Sequence, residues 1–551
     1  MMPMPMPYLL PPLLLALVFA RPLAAQVSLS ESHLPVVVIQ TIPPGEIPDE
    51  PKIPAHMGIV WHPDGSPNSP AGPFDAYDGW VGIEIRGSSS QSFPKKNYAV
   101  ETREADGSAR NVSLLGLPAE NDWILHGPFS DKSLLRNAIT YVLAGQLMAY
   151  APRVRFCEVL INGDYKGVYL LTEKIKRDRN RVDISNLKPE DNSGDELTGG
   201  YILKFDKWDG AHSEGFQSQF RPYPGAAEGV YYQYHEPAPD EITDAQREYI
   251  RAFVHQMEFV LQGPDFADPE RGYPAYFDLD ALVHYFFLQE LGRNVDGYRL
   301  STFLSKDKDS VSPLFKAGPV WDFNLAYGNV DYCTGPSPAG WAVHFNDVCP
   351  SDAWSVQFWW RKIFEEPAFR YRLCSRWQAL RAADGRLSDT RVTGLVDSLA
   401  TLLGPAAQRN FERWPVLGTY VWPNSFVGGT YAAELDFLRQ WLSQRLAWMD
   451  REWADCRAPV PPVPAEPAEL VVLPNPAAAR VVFRIPAEVS EPLVIDIFDV
   501  LGRPLERLSA PAAVAAREVV WDQPAAPGVY LYRIGVAGRT RWEGRLVRLG
   551  G

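Results

Sequence analysis

Cysteine and positive charge are both scarce in this sequence of 551 residues. It contains five cysteines, none of them in a Cys-x-x-Cys pair, which argues against a structural zinc site. Lys and Arg number 53 against 67 Asp and Glu, so the formal net charge is -14. Such an acidic surface argues against nucleic acid or an anionic membrane as the main partner.

Long apolar runs are also missing, except near the N-terminus. Residues 9–20 are apolar, and Ala24 and Ala25 precede Gln26, which is typical of a secretory signal peptide and its cleavage site. The first eight residues contain no Lys or Arg, and a membrane anchor is the alternative interpretation, although the run is short for one. We predict a signal peptide over residues 1–25, export, and no transmembrane segment in the mature chain.

The cysteines bear on how an exported chain is held together, because export permits disulfide bonds. Cys333 and Cys349 flank a single loop, residues 334–348, and are the best candidates for a pair. The odd number of cysteines leaves at least one thiol unpaired within the chain.

What the sequence does contain is enough apolar residue for a large core, at 46% hydrophobic and 22% charged. At about 150 residues per domain, its length allows roughly three to four units. The apolar periodicity predicts a strand-rich part followed by a helix-rich part, an α+β fold. The predicted strands are 34–40, 80–86, 98–102, 122–126, 154–161, 167–172, 200–206 and 229–235. The predicted helices are 130–148, 242–261, 279–291, 354–364, 369–380, 391–403 and 431–453.

A Pro-rich linker, residues 457–469, precedes a different pattern. Short alternating segments separated by Gly and Pro predict a small all-β, Ig-like sandwich over residues 470–551. Its predicted strands are 480–485, 493–498, 517–521, 529–536 and 540–547.

The stretch from Arg293 to Asn329 organises the rest of the chain. Asp296 follows a predicted helix, and Asp322 follows a short strand in Pro-Val-Trp-Asp-Phe-Asn. Between them we predict a hairpin, so the two carboxylates can be brought close together. Protein kinases present a catalytic Asp and a metal-binding Asp before Phe in this way. The alternative is a hairpin with a solvated acidic turn.

Several motifs, in order, carry a resemblance to a known family. They are IRGSSSQSFPKKNYAVE, DWILHGPFSDKSLLRN, INGDYKGVYLLTEKI, NVDGYRLSTFLSKDKDS and KAGPVWDFNLAYGN. Together they closely resemble the CotH family of spore-coat-type kinases, over about residues 34–456. The resemblance implies an atypical two-lobed protein-kinase-like domain over residues 26–456, with a nucleotide bound in the cleft.

The resemblance also implies ligands for ATP with Mg²⁺ or Mn²⁺. Asp296 would orient the acceptor hydroxyl and take its proton, and Asp322 would bind the metal. Lys96 would contact phosphate, with Lys95 as an exposed neighbour. Further predicted nucleotide ligands are Arg86, Ser90, Glu173 and Lys174. These residues also have a purely structural interpretation: the loop after Arg86 could be an ordinary surface turn, and Glu173-Lys174 could be an exposed strand end.

Two positions depart from the kinase pattern. A kinase catalytic loop places a metal-binding Asn five residues after its Asp, and here that position is Ser301. Trp-Asp-Phe is followed by Asn324, where many relatives carry a second Asp. We therefore include Ser301 and Asn324 with Asp322 as predicted metal ligands, and expect the site to hold one metal ion firmly and a second weakly, if at all.

The C-terminal region resembles the C-terminal sorting domain of the type IX secretion system. The segments that carry this resemblance are LPNPAAARVVFRI, IDIFDVLGRPLERL, PGVYLYRI and GRLVRLG. That resemblance implies export across an outer membrane by the type IX machinery, followed by release or display at the cell surface. Two functions remain open: a protein kinase acting on secreted or surface proteins, and a catalytically silent scaffold or adhesin. Both aspartates favour the kinase, whereas the scarcity of extracellular ATP favours the scaffold.

Overall fold

The computed structural model describes residues 27–208, 213–456 and 470–548, the last range with gaps at 474, 476, 478–479, 487–488, 501–502, 513–516, 523–525 and 537–538. The predicted signal peptide and the Pro-rich linker lie outside the described residues. The chain divides into two compact units, residues 1–457 and 458–551. No helix in the described ranges is long and apolar enough to span a bilayer.

The first unit begins with a closed seven-stranded barrel in the order β1-β2-β3-β4-β5-β7-β6. It closes where β1 runs parallel to β6, with Val37 opposite Val159. Its elements are β1 (Val36–Thr41), β2 (Ile53–Val60), β3 (Tyr77–Arg86), β4 (Asn97–Arg103), β5 (Asp122–His126), α1 (Arg136–Leu147), β6 (Val154–Ile161) and β7 (Asp164–Glu173). Strand β2 was not among the predicted strands; Pro54 stands near its start, where proline is tolerated.

Two boundaries in the barrel differ from the predictions, for local reasons. Helix α1 begins at Arg136 rather than at residue 130, because Leu134 has a left-handed backbone (φ 64°). The Asp131 carboxylate accepts hydrogen bonds from the Ser133 and Arg136 amides, which replaces a first helical turn. Strand β7 begins at Asp164, since Asn162 and Gly163, both at positive φ, complete the turn in two residues.

A second sheet of the first unit has the strand order β12-β11-β8-β10-β9. Its strands are β8 (Tyr201–Phe205), β9 (Gly215–Gln217), β10 (Tyr231–Glu236), β11 (Thr302–Lys306) and β12 (Phe315–Ala317). The remaining helices of the first unit are α2 (Asp244–Gln262), α3 (Leu279–Gly292), α4 (Phe345–Val348), α5 (Phe358–Glu365), α6 (Pro367–Arg381), α7 (Asp389–Arg413) and α8 (Tyr431–Glu452). The predicted central hairpin is confirmed as β11–β12, so strands and helices mix more than a simple strand-then-helix order.

Two disulfides hold loops of the first unit. The predicted Cys333–Cys349 bond is confirmed, with its Cα atoms 5.5 Å apart. A second bond joins Cys374 on α6 to Cys456 beyond α8, across 82 residues of sequence, and was not predicted. Cys157 remains as a buried free thiol.

The second unit is all-β, as predicted. It has one sheet in the order β13-β14-β17 and another in the order β16-β15-β18-β19. Phe483 of one sheet and Ile495 of the other share a buried core. The strands are β13 (Val471–Leu473), β14 (Val481–Ile485), β15 (Leu493–Asp499), β16 (Pro504–Ala510), β17 (Arg517–Trp521), β18 (Gly528–Val536) and β19 (Arg539–Arg548).

Candidate active site

Asp296 and Asp322 lie at the same end of the β11–β12 hairpin. Asp296 is in the loop between α3 and β11, and Asp322 follows β12. Because the two strands are antiparallel, with Leu304 opposite Ala317, the start of β11 and the end of β12 are adjacent. Asp322 has φ 58°, in the left-handed region that non-glycine residues adopt at an energetic cost. Strained backbone of this kind is found at functional sites.

The Asp322 carboxylate belongs to a cluster of five charged side chains. Burial and the charges of Asp296 and Asp206 raise the pKa of Asp322 to about 7, against the opposing charges of Arg86 and Lys207. We call Asp206, Asp296 and Asp322 the carboxylate cluster. Burial is the largest cause of this pKa shift, and repulsion by the other two carboxylates adds to it. A bound cation would relieve this repulsion.

Asp296 is held by a buried arginine. Its Oδ1 accepts a hydrogen bond from Arg299 Nη2 at 2.9 Å, and Arg299 Nη1 contacts Asp352 Oδ1 at 3.0 Å. The Arg299 side chain is 2% exposed, and its Nε donates to the Val295 carbonyl. Burial raises the pKa of Asp296, and the charge of Arg299 opposes that shift. The Asp296 carboxylate is therefore fixed in position.

Arg86, at the end of β3, brings the barrel to Asp322. Its guanidinium lies 5.6 Å from the centroid of Trp321, and that ring stacks on Tyr141 at 5.8 Å. The Asp322 amide donates to Tyr141 Oη at 3.1 Å. Burial lowers the pKa of Arg86, and Asp322 is the charge that most opposes this. Barrel, helix α1 and hairpin thus meet at Asp322.

Further cations surround the same place. Burial lowers the pKa of His235 on β10 to about 3, and the charges of Lys204, Lys174 and Arg86 contribute. His235 Nε2 lies 2.9 Å from the Ile175 carbonyl oxygen, so Nε2 carries the proton and Nδ1 can accept one. We call Arg86, Lys174 and Lys204 the cationic recess. Beside the carboxylate cluster, it can receive an anion such as a phosphate group.

Comparison with known proteins identifies the family. The protein-family model described as "CotH kinase protein" matches residues 83–449, which is more than half of the chain. The chain belongs to the CotH kinase family. No curated protein matches it.

Two solved structures show weak local similarity to this CotH kinase family member. Dimeric latent PorU from Porphyromonas gingivalis is 21% identical over 15% of this chain and 9% of its own, with a TM-score of 0.14. The alkylpurine DNA glycosylase AlkC from Pseudomonas fluorescens, solved with DNA containing an abasic site analog, is 12% identical. That match covers 38% of this chain and 64% of AlkC, with a TM-score of 0.12. Both scores are too low to support a shared fold.

Two of the barrel residues that the CotH resemblance nominated, Lys96 and Ser90, make local contacts. Lys96 Nζ donates to the Gln91 carbonyl at 2.5 Å, and Ser90 Oγ accepts from Asn97 at 3.1 Å. These contacts stay within the loop after β3 and the start of β4. The expectation that Lys95 is exposed was wrong, because it is 1% exposed and donates to the Val168 carbonyl at 2.6 Å.

Glu173 and Lys174 separate at the end of β7. Glu173 is fully buried, and its Oε2 accepts from Arg153 Nε and from the Arg153 amide, each at 2.9 Å. The side chain of Lys174 reaches solvent, but the protein around it still desolvates the ammonium. This desolvation lowers the pKa of Lys174, and the charge of Asp122 opposes the shift. Successive residues of a strand face opposite ways, which explains why only Lys174 belongs to the recess.

The predicted metal ligands can be compared with what Mg²⁺ or Mn²⁺ requires. Ser301 is 9% exposed with φ 48°, and Asn324 lies two residues beyond Asp322, its carbonyl accepting from Asn329. In the described parts of the chain, no group of three or more His, Cys, Asp or Glu could enclose a metal. Mg²⁺ in nucleotide sites is usually held by one or two carboxylates together with substrate phosphates. The raised pKa of Asp322, caused first by burial and then by Asp296 and Asp206, fits that type of site, because a bound cation would favour the charged carboxylate.

Four residues of the site were missed by the sequence reasoning: Lys204, Asp206, Lys207 and His235. They come from β8, the turn after it and β10, which the sequence identified only as strands. One signal was available, since Lys-Phe-Asp-Lys places three charges at the end of an apolar strand. Nothing local indicated that this strand pairs with β11, Leu203 opposite Leu304, beside the hairpin.

Proposed function

We propose that the chain is an exported protein kinase that transfers the γ-phosphate of ATP to Ser or Thr hydroxyls of secreted or surface proteins. The observation that carries the proposal is the meeting of the carboxylate cluster and the cationic recess at one end of the central hairpin. Phosphoryl transfer depends mainly on positioning and on electrostatic stabilisation, and these two groups supply both. Membership of the CotH kinase family supports the same activity.

Each group has a role that its surroundings favour. Asp296, fixed by Arg299, orients the acceptor hydroxyl and takes its proton. Arg86 and Lys174 bind phosphate oxygens of the nucleotide in the cationic recess. Asp322, with oxygens of Ser301 and Asn324, would hold Mg²⁺ or Mn²⁺. When bound, that metal neutralises charge on the phosphates.

We propose further that the protein works outside the cell. The two disulfides, Cys333–Cys349 and Cys374–Cys456, favour an oxidising compartment. The predicted signal peptide and the all-β second unit, read as a type IX sorting domain, supply the route. Terminal peptide mapping of protein recovered from the medium tests this. An intact Met1 or Gly551 on exported protein would contradict processing at that end.

A silent scaffold or adhesin is the second candidate, and one observation favours it. Arg299 already occupies Asp296 Oδ1 and is tied to Asp352, so the proposed base is engaged by a cation. If this contact persists with substrates present, proton transfer to Asp296 is disfavoured.

The deciding experiment uses the purified full chain with ATP and Mn²⁺. Mass spectrometry for phosphate on the protein itself and on candidate surface proteins measures transfer, and calorimetry measures nucleotide binding. Transfer that is lost in Asp296→Asn supports the kinase. Nucleotide binding without any transfer supports the scaffold, and absence of both overturns the assignment of the site.

A further inference from the structure

Lys207 crosses from the second sheet to the barrel. It follows Asp206 at the end of β8, and its Nζ donates to Ser89 Oγ, in the loop after β3, at 2.8 Å. The same ammonium lies 5.7 Å from the ring centroid of Trp354, which follows the Cys333–Cys349 loop. Among the described residues, Lys207 forms no ion pair with a carboxylate. Its only hydrogen-bond acceptor there is a neutral hydroxyl, a partner that a phosphate oxygen would readily replace.

Lys207 contacts the surroundings of both hairpin aspartates. Its ammonium meets Ser89, in the loop that follows Arg86, and the ring of Trp354, whose carbonyl accepts a hydrogen bond from Arg299 Nη1 at 3.3 Å. Arg299 is hydrogen-bonded to Asp296, and Arg86 lies over the ring of Trp321, the residue before Asp322. In a kinase, the phosphoryl group moves between the acceptor oxygen and the metal-bound nucleotide. A cation that contacts the surroundings of both aspartates is placed to meet that group.

We propose that Lys207 is a further catalytic residue of this site, the cation that contacts the terminal phosphate of bound ATP. The inference rests on the proposed kinase function. In the free protein the ammonium rests on Ser89, and in the nucleotide complex it moves to the γ-phosphate oxygens.

The transfer step balances without change to Lys207. The acceptor oxygen forms a bond to the γ-phosphorus as its proton passes to Asp296, and the bond from that phosphorus to the bridging oxygen breaks. ADP leaves with the electron pair of the broken bond. Lys207 stays protonated and stabilises the negative charge on the three oxygens of the moving group.

The test compares nucleotides that differ only in the terminal phosphate. Calorimetry with Mn²⁺ and either ADP or a non-hydrolysable ATP analogue is performed on the full chain and on Lys207→Met. We expect the triphosphate to bind about 10- to 100-fold more weakly, the usual effect of losing one charge-assisted hydrogen bond, while ADP binding is unchanged. Lys207→Arg should retain most of the triphosphate affinity, because it keeps the charge.

Two controls separate this from a structural role. Ser89→Ala removes the resting contact of Lys207 and should leave both affinities unchanged. Lys308→Met removes a lysine that pairs with Glu196 at the surface and should also change neither affinity. Equal losses for ADP and triphosphate in Lys207→Met, or no loss, would overturn the inference while leaving the kinase proposal intact. A wild-type protein that binds neither nucleotide would overturn both.

Discussion

The two arms of the β11–β12 hairpin hold their carboxylates in opposite ways. On the first arm, Asp296 is paired with Arg299, which also binds Asp352, so its charge is compensated and its position fixed. On the second arm, the pKa of Asp322 is raised to about 7 by burial and by two neighbouring carboxylates. The charge of Asp296 is therefore balanced without a ligand, whereas the charged form of Asp322 is disfavoured until a cation binds.

This difference matches the two tasks of a phosphotransferase. A group that orients an acceptor hydroxyl must be held rigidly before the substrate arrives. A group that binds a metal and its nucleotide gains most when the empty site is electrostatically unfavourable. The comparison therefore predicts that the two arms fail differently when they are altered.

The largest expected effect is on transfer itself. Asp296→Asn should reduce phosphate transfer by about 1000-fold or more, because the base is lost, while Mn²⁺-ATP binding stays within about threefold of wild type. Asp322→Asn should instead weaken Mn²⁺-ATP binding by about tenfold or more, because the ligand loses its charge. Calorimetry beside a transfer assay distinguishes them. If both variants bind and transfer like the wild type, the two-arm assignment is wrong.

Sequence reasoning located this hairpin because its parts are local. The strands, the charged turn and both aspartates fall within 37 consecutive residues, 293–329. Lys204, Lys207 and His235 precede this segment by up to about 90 residues. They reach the site because β8 pairs with β11 on one side and with β10 on the other. Such non-local pairing leaves no periodicity in a single sequence, so these residues could not be placed.

One-residue choices were also beyond the sequence. Lys95 and Lys96 are adjacent residues of the same type, so the sequence does not distinguish them. In the structure, Lys95 is buried and donates to Asn410, whereas Lys96 donates to the Gln91 carbonyl just before β4 begins at Asn97. Register is set by tertiary packing, and a shift of one residue exchanges the two faces. The Cys374–Cys456 bond was missed for a similar reason, since helices α6 and α8 bring the two residues together.

The next largest effect concerns the stability of the first arm. Arg299→Met should lower the free energy of unfolding by about 3 kcal/mol, because Asp296 and Asp352 would be left without their buried partner. Arg361→Met serves as the control, since Arg361 pairs with Asp347 and Glu365 at the surface and should cost less than about 1 kcal/mol. Urea unfolding at pH 7 measures both. Similar small losses in the two variants would mean that Asp296 does not depend on Arg299.

A pH effect should distinguish the second arm. Because the folded pKa of Asp322 is above its unfolded value, the folded state binds the extra proton. Its contribution to stability is full below about pH 4 and is lost as the pH rises through about 7. In metal-free buffer, Asp322→Asn should therefore gain stability relative to wild type between pH 5 and pH 8, on the order of 2 kcal/mol.

Urea unfolding of both proteins across that range, with EDTA present, makes the measurement. Taking the difference removes groups common to both, including His126 and His235, whose pKa values are lowered. Mn²⁺ should reduce the difference by stabilising the wild type at high pH. A difference that does not change with pH would show that Asp322 is not electrostatically frustrated in the free protein.

The smallest effect concerns Ser301, which lies between the two arms in sequence. A hydroxyl is a poorer metal ligand than an amide oxygen, which is more polar and reaches further. Ser301 has φ 48°, a left-handed conformation that Asn adopts more readily than most residues, so Ser301→Asn should fit the backbone. We expect this variant to lower the Mn²⁺ concentration for half-maximal activity by roughly fivefold, the effect of one added polar contact of about 1 kcal/mol.

A metal titration at saturating ATP measures this concentration, and in Ser301→Ala we expect it to rise or to stay unchanged. If Ser301→Asn binds metal no better while folding normally, then Ser301 does not face the metal and the second arm relies on Asp322 and its neighbouring carboxylates alone.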